Sequence, residues 1–254
     1  MTVTERHEKI LYELKENGKV SVQKLSDELD VSEVTIRKDL RVLEDKGLLF
    51  RTHGGATQTN PYTSDRPVSE KEKMQAEEKN AIAKKAVELI GDNDSIILAS
   101  GTTILAVARK IHPEKKLNVI TSALNVSLEL SQHENVEVLQ LGGQLRQSST
   151  SVIGPYAEQF MEGITCGILF LGVDGIDLDH GLTTSNLMEA SLNQKFIEVA
   201  QHTIVVADHT KFGKRGFSRI CSLDKVQHII TDAGVDPQLI TKLEDAGIQI
   251  TVAK

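Results

Sequence analysis

Seven short apolar runs punctuate the chain beyond residue 95: 96–99 (IILA), 117–121 (LNVIT), 136–141 (VEVLQL), 168–173 (ILFLGV), 203–207 (TIVVA), 227–231 (QHIIT) and 248–252 (IQITV). In most of them the apolar residues sit side by side rather than at alternate positions. A strand of that kind is apolar on both faces and needs cover on both. Stretches of helical character separate many of the runs, at 103–111, 123–132, 156–163, 187–201 and 237–246. Strands alternating with helices predict an α/β unit, a mostly parallel sheet covered by helices on both faces. Ligands of such sheets bind in the crevice beyond the carboxyl ends of the strands, so the residues that follow each run carry the functional question.

Five of the runs end in small, polar, turn-prone residues. The first leads into Ser100-Gly101-Thr102-Thr103 at a helix start, where hydroxyls and N–H groups form an anion cradle. The second leads into Thr121-Ser122, also at a helix start. The third leads into Gly142-Gly143-Gln144-Leu145-Arg146. Gly143 permits close backbone approach there, and Arg146 carries a fork that matches phosphate. The fourth gives Gly172-Val173-Asp174-Gly175 and the fifth Asp208-His209-Thr210-Lys211. A Ser-Gly-Thr-Thr turn by itself is more often a helix cap than a ligand site. Five such loops at one sheet edge point to a small anionic ligand.

The amino-terminal quarter has a different pattern. Residues 4–17 place Ile10, Leu11 and Leu14 at helical spacing, and Asn17-Gly18 ends that helix. Ser21–Leu29 reads as a shorter helix and Asp30-Val31 as a tight turn. Ser32 then caps a further helix, in which Ile36, Leu40 and Leu43 recur on one buried face. Thr35, Arg37, Lys38 and Arg41 fall outside that stripe. Two helices so joined, the second basic on its outer face, form the helix-turn-helix pattern that sets a recognition helix in the DNA major groove. Lys46-Gly47 follows as a C-cap, Leu48–Arg51 as a strand and Thr52–Ala56 as a hairpin tip, which makes the unit a winged helix. Ser32, Thr35, Arg37, Lys38, Arg41 and Arg51 are the candidate contacts to double-stranded DNA, since the arginine fork suits guanine edges and phosphate. The plainer reading of Arg41 or Arg51 is a solvated surface charge. Asp39 is expected to orient a neighbouring arginine.

Charge limits the kind of DNA binding. The chain carries a net −7, and residues 1–57 hold ten Lys and Arg against eleven Asp and Glu. A broad basic coat for non-specific binding is excluded, whereas a site-specific reader needs only a local basic face.

Thr57–Ser69 (TQTNPYTSDRPVS), with two prolines, reads as a linker. Ser69-x-x-Glu72 reads as a capping box that opens one long helix through Ile90, its charged half at Glu70–Lys79 facing solvent. The expected organisation is a winged helix-turn-helix at 1–57, a linker and start of a connecting helix at 58–73, and the α/β unit at 74–254.

Taken together, Arg6-x-x-x-Ile10-x-x-x-Leu14, Ser32-x-x-Thr35-Ile36-Arg37-Lys38-Asp39-Leu40 and Gly54-Gly55-Ala56 resemble the amino-terminal signature of DeoR-type bacterial repressors. Residues 75–252 resemble the effector domain of the same regulators, which is similar in fold to ribose-5-phosphate isomerase. Gly181-Leu182-Thr183-Thr184 and Glu189-Ala190 match further family segments. The resemblance implies that Ser100, Gly101, Thr102 and Thr103 hold a sugar phosphate, with Thr121, Ser122, Arg146, Asp174 and Lys211 around it. It also implies a homo-oligomer, dimer or tetramer, that represses a carbohydrate operon in the cytoplasm until the phosphorylated sugar binds. Ala99 stands where an aspartate is expected, and Asn193 where a lysine is common.

Other classes find less support. An isomerase could draw on Asp174, Glu189 and Lys211 for acid–base work, but the further carboxylates at Asp177 and Asp179 lie in a polar turn, and an isomerase has no use for a winged helix. No cofactor is expected, because the chain lacks both the Walker glycine–lysine loop and G-x-G-x-x-G after a strand. No metal is expected either, since His112, His133, His180, His202, His209 and His228 are scattered. Cys166 and Cys221 lie outside any paired motif and read as buried thiols. No secretory signal or membrane-spanning run is present in the sequence.

Overall fold

A capping box starts the first helix, α1 (Val3–Asn17): Glu5 N–H donates to the Thr2 hydroxyl at 3.3 Å, and Thr2 N–H donates to the Glu5 carboxylate at 2.8 Å. In this computed structural model, which describes residues 2–46, 48–52, 54–57, 67–91 and 95–254, α1 ends on Gly18 with left-handed backbone. β1 (Lys19–Ser21) leads into α2 (Val22–Leu29), which Ser21 caps. Asp30, itself left-handed at φ 50°, makes the turn before α3 (Glu33–Asp45). Ser32 caps α3, its hydroxyl accepting from Thr35 N–H at 3.2 Å. β2 (Phe50–Thr52) and β3 (Gly55–Thr57) form the expected wing, and β1 joins them in an antiparallel sheet of order β1-β3-β2. Gly47, His53 and residues 58–66 of the expected linker lie outside the described residues.

The stripes read from the sequence meet in one core. Ile10 and Leu14 of α1, Val22 and Leu25 of α2, and Ile36, Leu40 and Leu43 of α3 are buried together with Leu49 and Ala56. A charged tie reinforces this packing. Asp39, only 4% exposed, accepts from Arg6 Nε at 2.5 Å and Nη2 at 3.0 Å, and lies 3.1 Å from His7 Nε2. The arginine that it orients is Arg6 of α1. Burial works against the charged carboxylate, but Arg6 and His7 outweigh it and hold the group below the usual carboxylate range.

The second unit spans Asp65–Lys254, against Met1–Ser64 for the first. It begins with α4 (Val68–Lys73) and α5 (Ala76–Val87). β4 (Ser95–Leu98), α6 (Thr102–Ala108), β5 (Leu117–Thr121), α7 (Leu124–Leu130) and β6 (Val136–Gln140) then alternate. A hairpin of β7 (Gln144–Arg146) and β8 (Ser151–Ile153) precedes α8 (Pro155–Phe160) and β9 (Cys166–Leu171). β10 (Gly175–Asp177), β11 (Gly181–Thr184), α9 (Leu187–Val199) and β12 (Ala200–Val206) follow. The chain finishes with β13 (Ser218–Cys221), β14 (His228–Asp232), α10 (Pro237–Asp245) and β15 (Gln249–Ala253).

Each of the seven apolar runs forms a strand, and all seven pair in parallel in the order β15-β14-β12-β9-β4-β5-β6. Their side chains alternate between two cores. Ile96, Leu98, Phe170, Ile204 and Val206 pack with α5, α6 and α7. Ile97, Leu169, Leu171 and Val205 pack with α8, α9 and α10. The sequence pattern did not show the β7–β8 hairpin or the small antiparallel sheet β10-β11-β13. These strands have three or four residues each and no apolar run. Cys166 is buried, Cys221 is half-buried, and both are free thiols. Among the described residues no helix is long and apolar enough to cross a membrane, and no group of three or more His, Cys, Asp or Glu could hold a metal ion.

The long connecting helix is corrected. The Ser69–Glu72 capping box does not form: Pro67 is the N-cap of α4 and makes no side-chain cap bond. The helix also breaks, with Met74 extended and Gln75 left-handed at φ 50°. The buried Lys79 ammonium stabilises the break by donating to the carbonyls of Lys71 (2.5 Å) and Met74. Of the charged half, Glu70, Lys73 and Glu77 do face solvent, whereas Lys71, Glu72 and Lys79 are tied to the fold.

Asp39→Ala is expected to destabilise the amino-terminal unit by about 3–5 kcal/mol, because it strands Arg6 in a buried site. Asp39 has a lowered folded value, so its contribution is present above the unfolded carboxylate value of about 3.9 and is lost as pH falls through the folded one. Thermal unfolding across acidic pH should show that loss in the wild type and not in Asp39→Leu/Arg6→Met. An equal acid loss in that double variant would reject the assignment.

Candidate functional site

The order of the sheet decides which loops can meet. β4 enters at the centre, β5 and β6 extend it on one side, and β9 returns to its other side. That is a topological switch point, where a crevice opens beyond the strand ends. Two loops flank it: Ser100-Gly101-Thr102 after β4 and Gly172-Val173-Asp174 after β9. Gly101 has φ 124° and ψ 165°, a region almost confined to glycine, and it serves as N-cap of α6 without a side chain. A Cβ on Gly172 would lie 3.0 Å from the Ser100 carbonyl oxygen, so the two loops approach as closely as backbones allow.

A pocket opens at this point. Ser100, Gly101, Thr102, Thr103, Gly172, Val173 and Asp174 line it, together with Arg146, Ser148 and Ser149 of the hairpin. Thr184, Ser185 and Glu189 close another side, and Val68, Lys71 and Lys211 complete the lining. Asp174 Oδ1 accepts from Lys71 Nζ at 3.0 Å, with Lys211 Nζ 4.0 Å away. Its Oδ2 accepts from the Thr184 hydroxyl at 3.2 Å and from Ser185 N–H at 3.1 Å. Glu189 accepts from Ser100 Oγ at 2.9 Å and from Arg146 Nη1 at 2.9 Å, and Arg146 Nη2 also donates to Ser185 Oγ at 3.3 Å.

The two carboxyls respond differently to the same surroundings. Burial opposes the charge on Asp174, but Lys71 and Lys211, followed by the bonds from Lys71 and Ser185, win and hold it below the usual range. Burial raises Glu189, Arg146 offsets part of that, and the nearby Asp174 charge adds to the rise, so the group sits above its usual value. With three cations, two carboxyls and many hydroxyls, the pocket suits a small hydroxylated anion.

Seven of the ten ligand residues read from the sequence line the pocket: Ser100, Gly101, Thr102, Thr103, Arg146, Asp174 and Lys211. Thr121, Ser122 and Gly143 do not. The buried Thr121 hydroxyl accepts from Ala123 N–H at 3.1 Å, and the Ser122 carbonyl accepts from Val152 N–H at 2.8 Å. Gly143 backs onto β8, where a Cβ would lie 2.8 Å from the Ile153 oxygen. Thr121 thus shapes the turn after β5, while Ser122 and Gly143 back onto β8. Ala99 and Asn193 are buried, and neither lines the pocket. Lys71, Ser148, Ser149 and Ser185 were not anticipated. The serine-rich QSSTS stretch was a signal for two of them; Lys71 has none, since it sits in a run of ordinary helix-surface charges.

In the amino-terminal unit the candidate interface is the outer face of α3. Val34, Arg37, Lys38 and Arg41 are exposed and recur at i, i+3, i+4 and i+7, opposite the buried stripe. Val34, 72% exposed, was not anticipated, and a bare apolar side chain there can meet a thymine methyl. Arg37 Nη2 lies 2.5 Å from Glu33, an exposed pair that contributes little and is readily exchanged. The Thr35 and Ser32 hydroxyls are 2.9 Å apart at the helix start. Arg51 stands on the wing strand, 3.7 Å from Glu44.

Residues 6–61 match the family model for the DeoR-like helix-turn-helix domain, and residues 74–233 match that for the DeoR C terminal sensor domain. The chain is 39% identical over 251 residues to the uncharacterized HTH-type transcriptional regulator YulB of Bacillus subtilis, covering 99% of this chain and 97% of that one. It is 32% identical over 250 residues to the glycerol-3-phosphate regulon repressor of Escherichia coli K12, with 98% and 99% covered. Among solved structures, ribose 5-phosphate isomerase A of Methanocaldococcus jannaschii aligns with 54% of this chain and 55% of that one, at 18% identity and a TM-score of 0.41.

Gly101→Ala is expected to lower the stability of the carboxy-terminal unit by about 1–3 kcal/mol, because alanine rarely adopts this backbone region. Calorimetric unfolding of the variant measures the loss; an unchanged transition would show that the loop can relax.

Proposed function

Because the chain belongs to the DeoR family of DNA-binding transcriptional regulators, we propose that it represses a carbohydrate-utilisation operon and lets go of its operator when a phosphorylated sugar enters the pocket. The observation that carries the effector reading is the meeting of Lys71, Arg146 and Lys211 with the Ser100–Thr103 hydroxyls at the switch point of the sheet. Phosphate is a match for the cations and hydroxyl donors, and the sugar hydroxyls for Glu189 and Asp174. On the DNA side, Arg37, Lys38 and Arg41 read the major groove, Ser32 and Thr35 meet phosphate at the start of α3, and Arg51 reaches the backbone from the wing. A dimer or tetramer presents paired winged helices to repeated or inverted half-sites. The effector shifts DNA affinity by a coupling of about 1–3 kcal/mol.

The carboxylates favour sensing over catalysis. Asp174 is held by two lysines, a hydroxyl and an N–H, and Glu189 by Ser100 and Arg146. These bonds fix each carboxylate in place, as suits a recognition group, and the lone pairs it keeps can accept a ligand's hydroxyls.

Thermal unfolding against a panel of sugar phosphates and their unphosphorylated parents tests the reading, since a ligand that binds only the folded state raises its stability. One phosphorylated sugar should raise the transition and release operator DNA, while its parent does neither. Arg37→Ala should lower specific operator affinity by about 1–3 kcal/mol and leave the sugar-phosphate shift intact. Lys211→Ala should do the reverse. Loss of both functions in each folded variant would overturn the division of labour, and no shift from any phosphate would overturn the effector.

A further inference from the structure

One wall of the pocket comes from outside the strand-end loops. α4 follows directly on residues 58–66, the stretch that joins the two units in sequence, and its Val68 and Lys71 line the pocket. At six residues α4 is too short to hold itself as a helix, so its position depends on its tethers. Val68 N–H donates to the Ser148 carbonyl at 2.8 Å. Glu72 pairs with Arg109 at 2.7 Å. The Lys79 ammonium caps the Lys71 and Met74 carbonyls. The fourth tether, Lys71 to Asp174 at 3.0 Å, lies inside the pocket.

We propose that Lys71 is a binding residue for the effector's phosphate, and that α4 is the element whose docking the effector controls. This rests on the reading that the pocket takes a phosphorylated ligand. An ammonium has three donors, and Lys71 can keep Asp174 on one while giving another to a phosphate oxygen. The phosphate then sits between Lys71, Lys211 and Arg146, and the pair Lys71–Asp174 becomes a triad. A ligand shifts an equilibrium only by its differential affinity for the two states. A bond to Lys71 exists only while α4 is docked, so that bond is the differential affinity. Occupancy fastens α4, and the chain leading to the DNA-binding unit starts from its first turn.

Hydrogen exchange of the residue 68–73 amides in the full-length protein tests this, with inorganic phosphate as the probe and sodium chloride at matched ionic strength as the control. In the wild type phosphate should slow exchange about tenfold, a usual size for linked equilibria. Lys211→Met should weaken phosphate binding yet show the same slowing at saturation. Lys71→Met should keep a phosphate-induced thermal shift through Arg146 and Lys211 but lose the slowing, and Lys71→Arg should restore it. A thermal shift in the wild type with unchanged exchange at 68–73, or equal slowing in Lys71→Met, overturns the role of α4. No thermal shift from phosphate in the wild type overturns the anion site itself, and this inference with it.

Discussion

Burial of the parallel sheet on both faces is the constraint on which the carboxy-terminal unit depends. Ile96 and Leu98 of β4 point into one apolar cluster, and Ile97 and Ala99 into the other. At β4 no face is left for polar chemistry, which is there confined to the strand end. Chain order then selects the loops that meet. β4 sits at the centre with later strands added on either side, so its loop lies beside that of β9. The close approach of Gly172 to the Ser100 carbonyl is the local consequence.

Within the pocket thus formed, charge is arranged in two arms. On one, Lys71 and Lys211 overcome the burial of Asp174; on the other, Arg146 does not overcome the burial of Glu189. Glu189 lies deeper, at 14% side-chain exposure against 26% for Asp174, and it also feels the negative charge of Asp174. Every side chain in the two arms is held by at least one hydrogen bond or ion pair to another lining residue. A site so fixed loses little conformational freedom when an anion arrives.

The legible parts of the chain were those where local chemistry and final environment agree. Seven apolar runs became seven parallel strands, and the mark is plainest in β4 and β14, which are covered on both faces. The stripes of α1 and α3 were legible for the same reason, their periodicity being that of the core they enter. The break at Met74–Gln75 was not legible. The residues around it are good helix formers, and what stabilises the break is the ammonium of Lys79, brought there by tertiary packing. Thr121 and Ser122 expose a second limit: small polar residues after a strand serve equally as turn and cap, and only topology tells the two uses apart. The loops after β4 and β9 meet at the switch point, whereas the one after β5 is covered by the β7–β8 hairpin.

Both units sort their charges by burial into frame and exchange. Asp39 with Arg6, and Lys79 with two backbone carbonyls, are buried and join elements that would separate without them. Such ties are costly to break, because removing one partner strands the other in a low-dielectric site. Arg37 with Glu33 and Lys71 with Asp174 retain access to solvent, at side-chain exposures of 54% and 44% for the first pair and 26% for each member of the second. Water already weakens these pairs, so under the proposed function a phosphate group, on DNA or on a small molecule, would compete for their cations at modest expense. Among the lysines, the buried Lys79 holds the frame, whereas Lys71, with about a quarter of its side chain exposed, stays open to exchange. Depth of burial, more than residue identity, separates the lysine that shapes the α4–α5 break from the lysine, eight residues earlier, that faces the pocket.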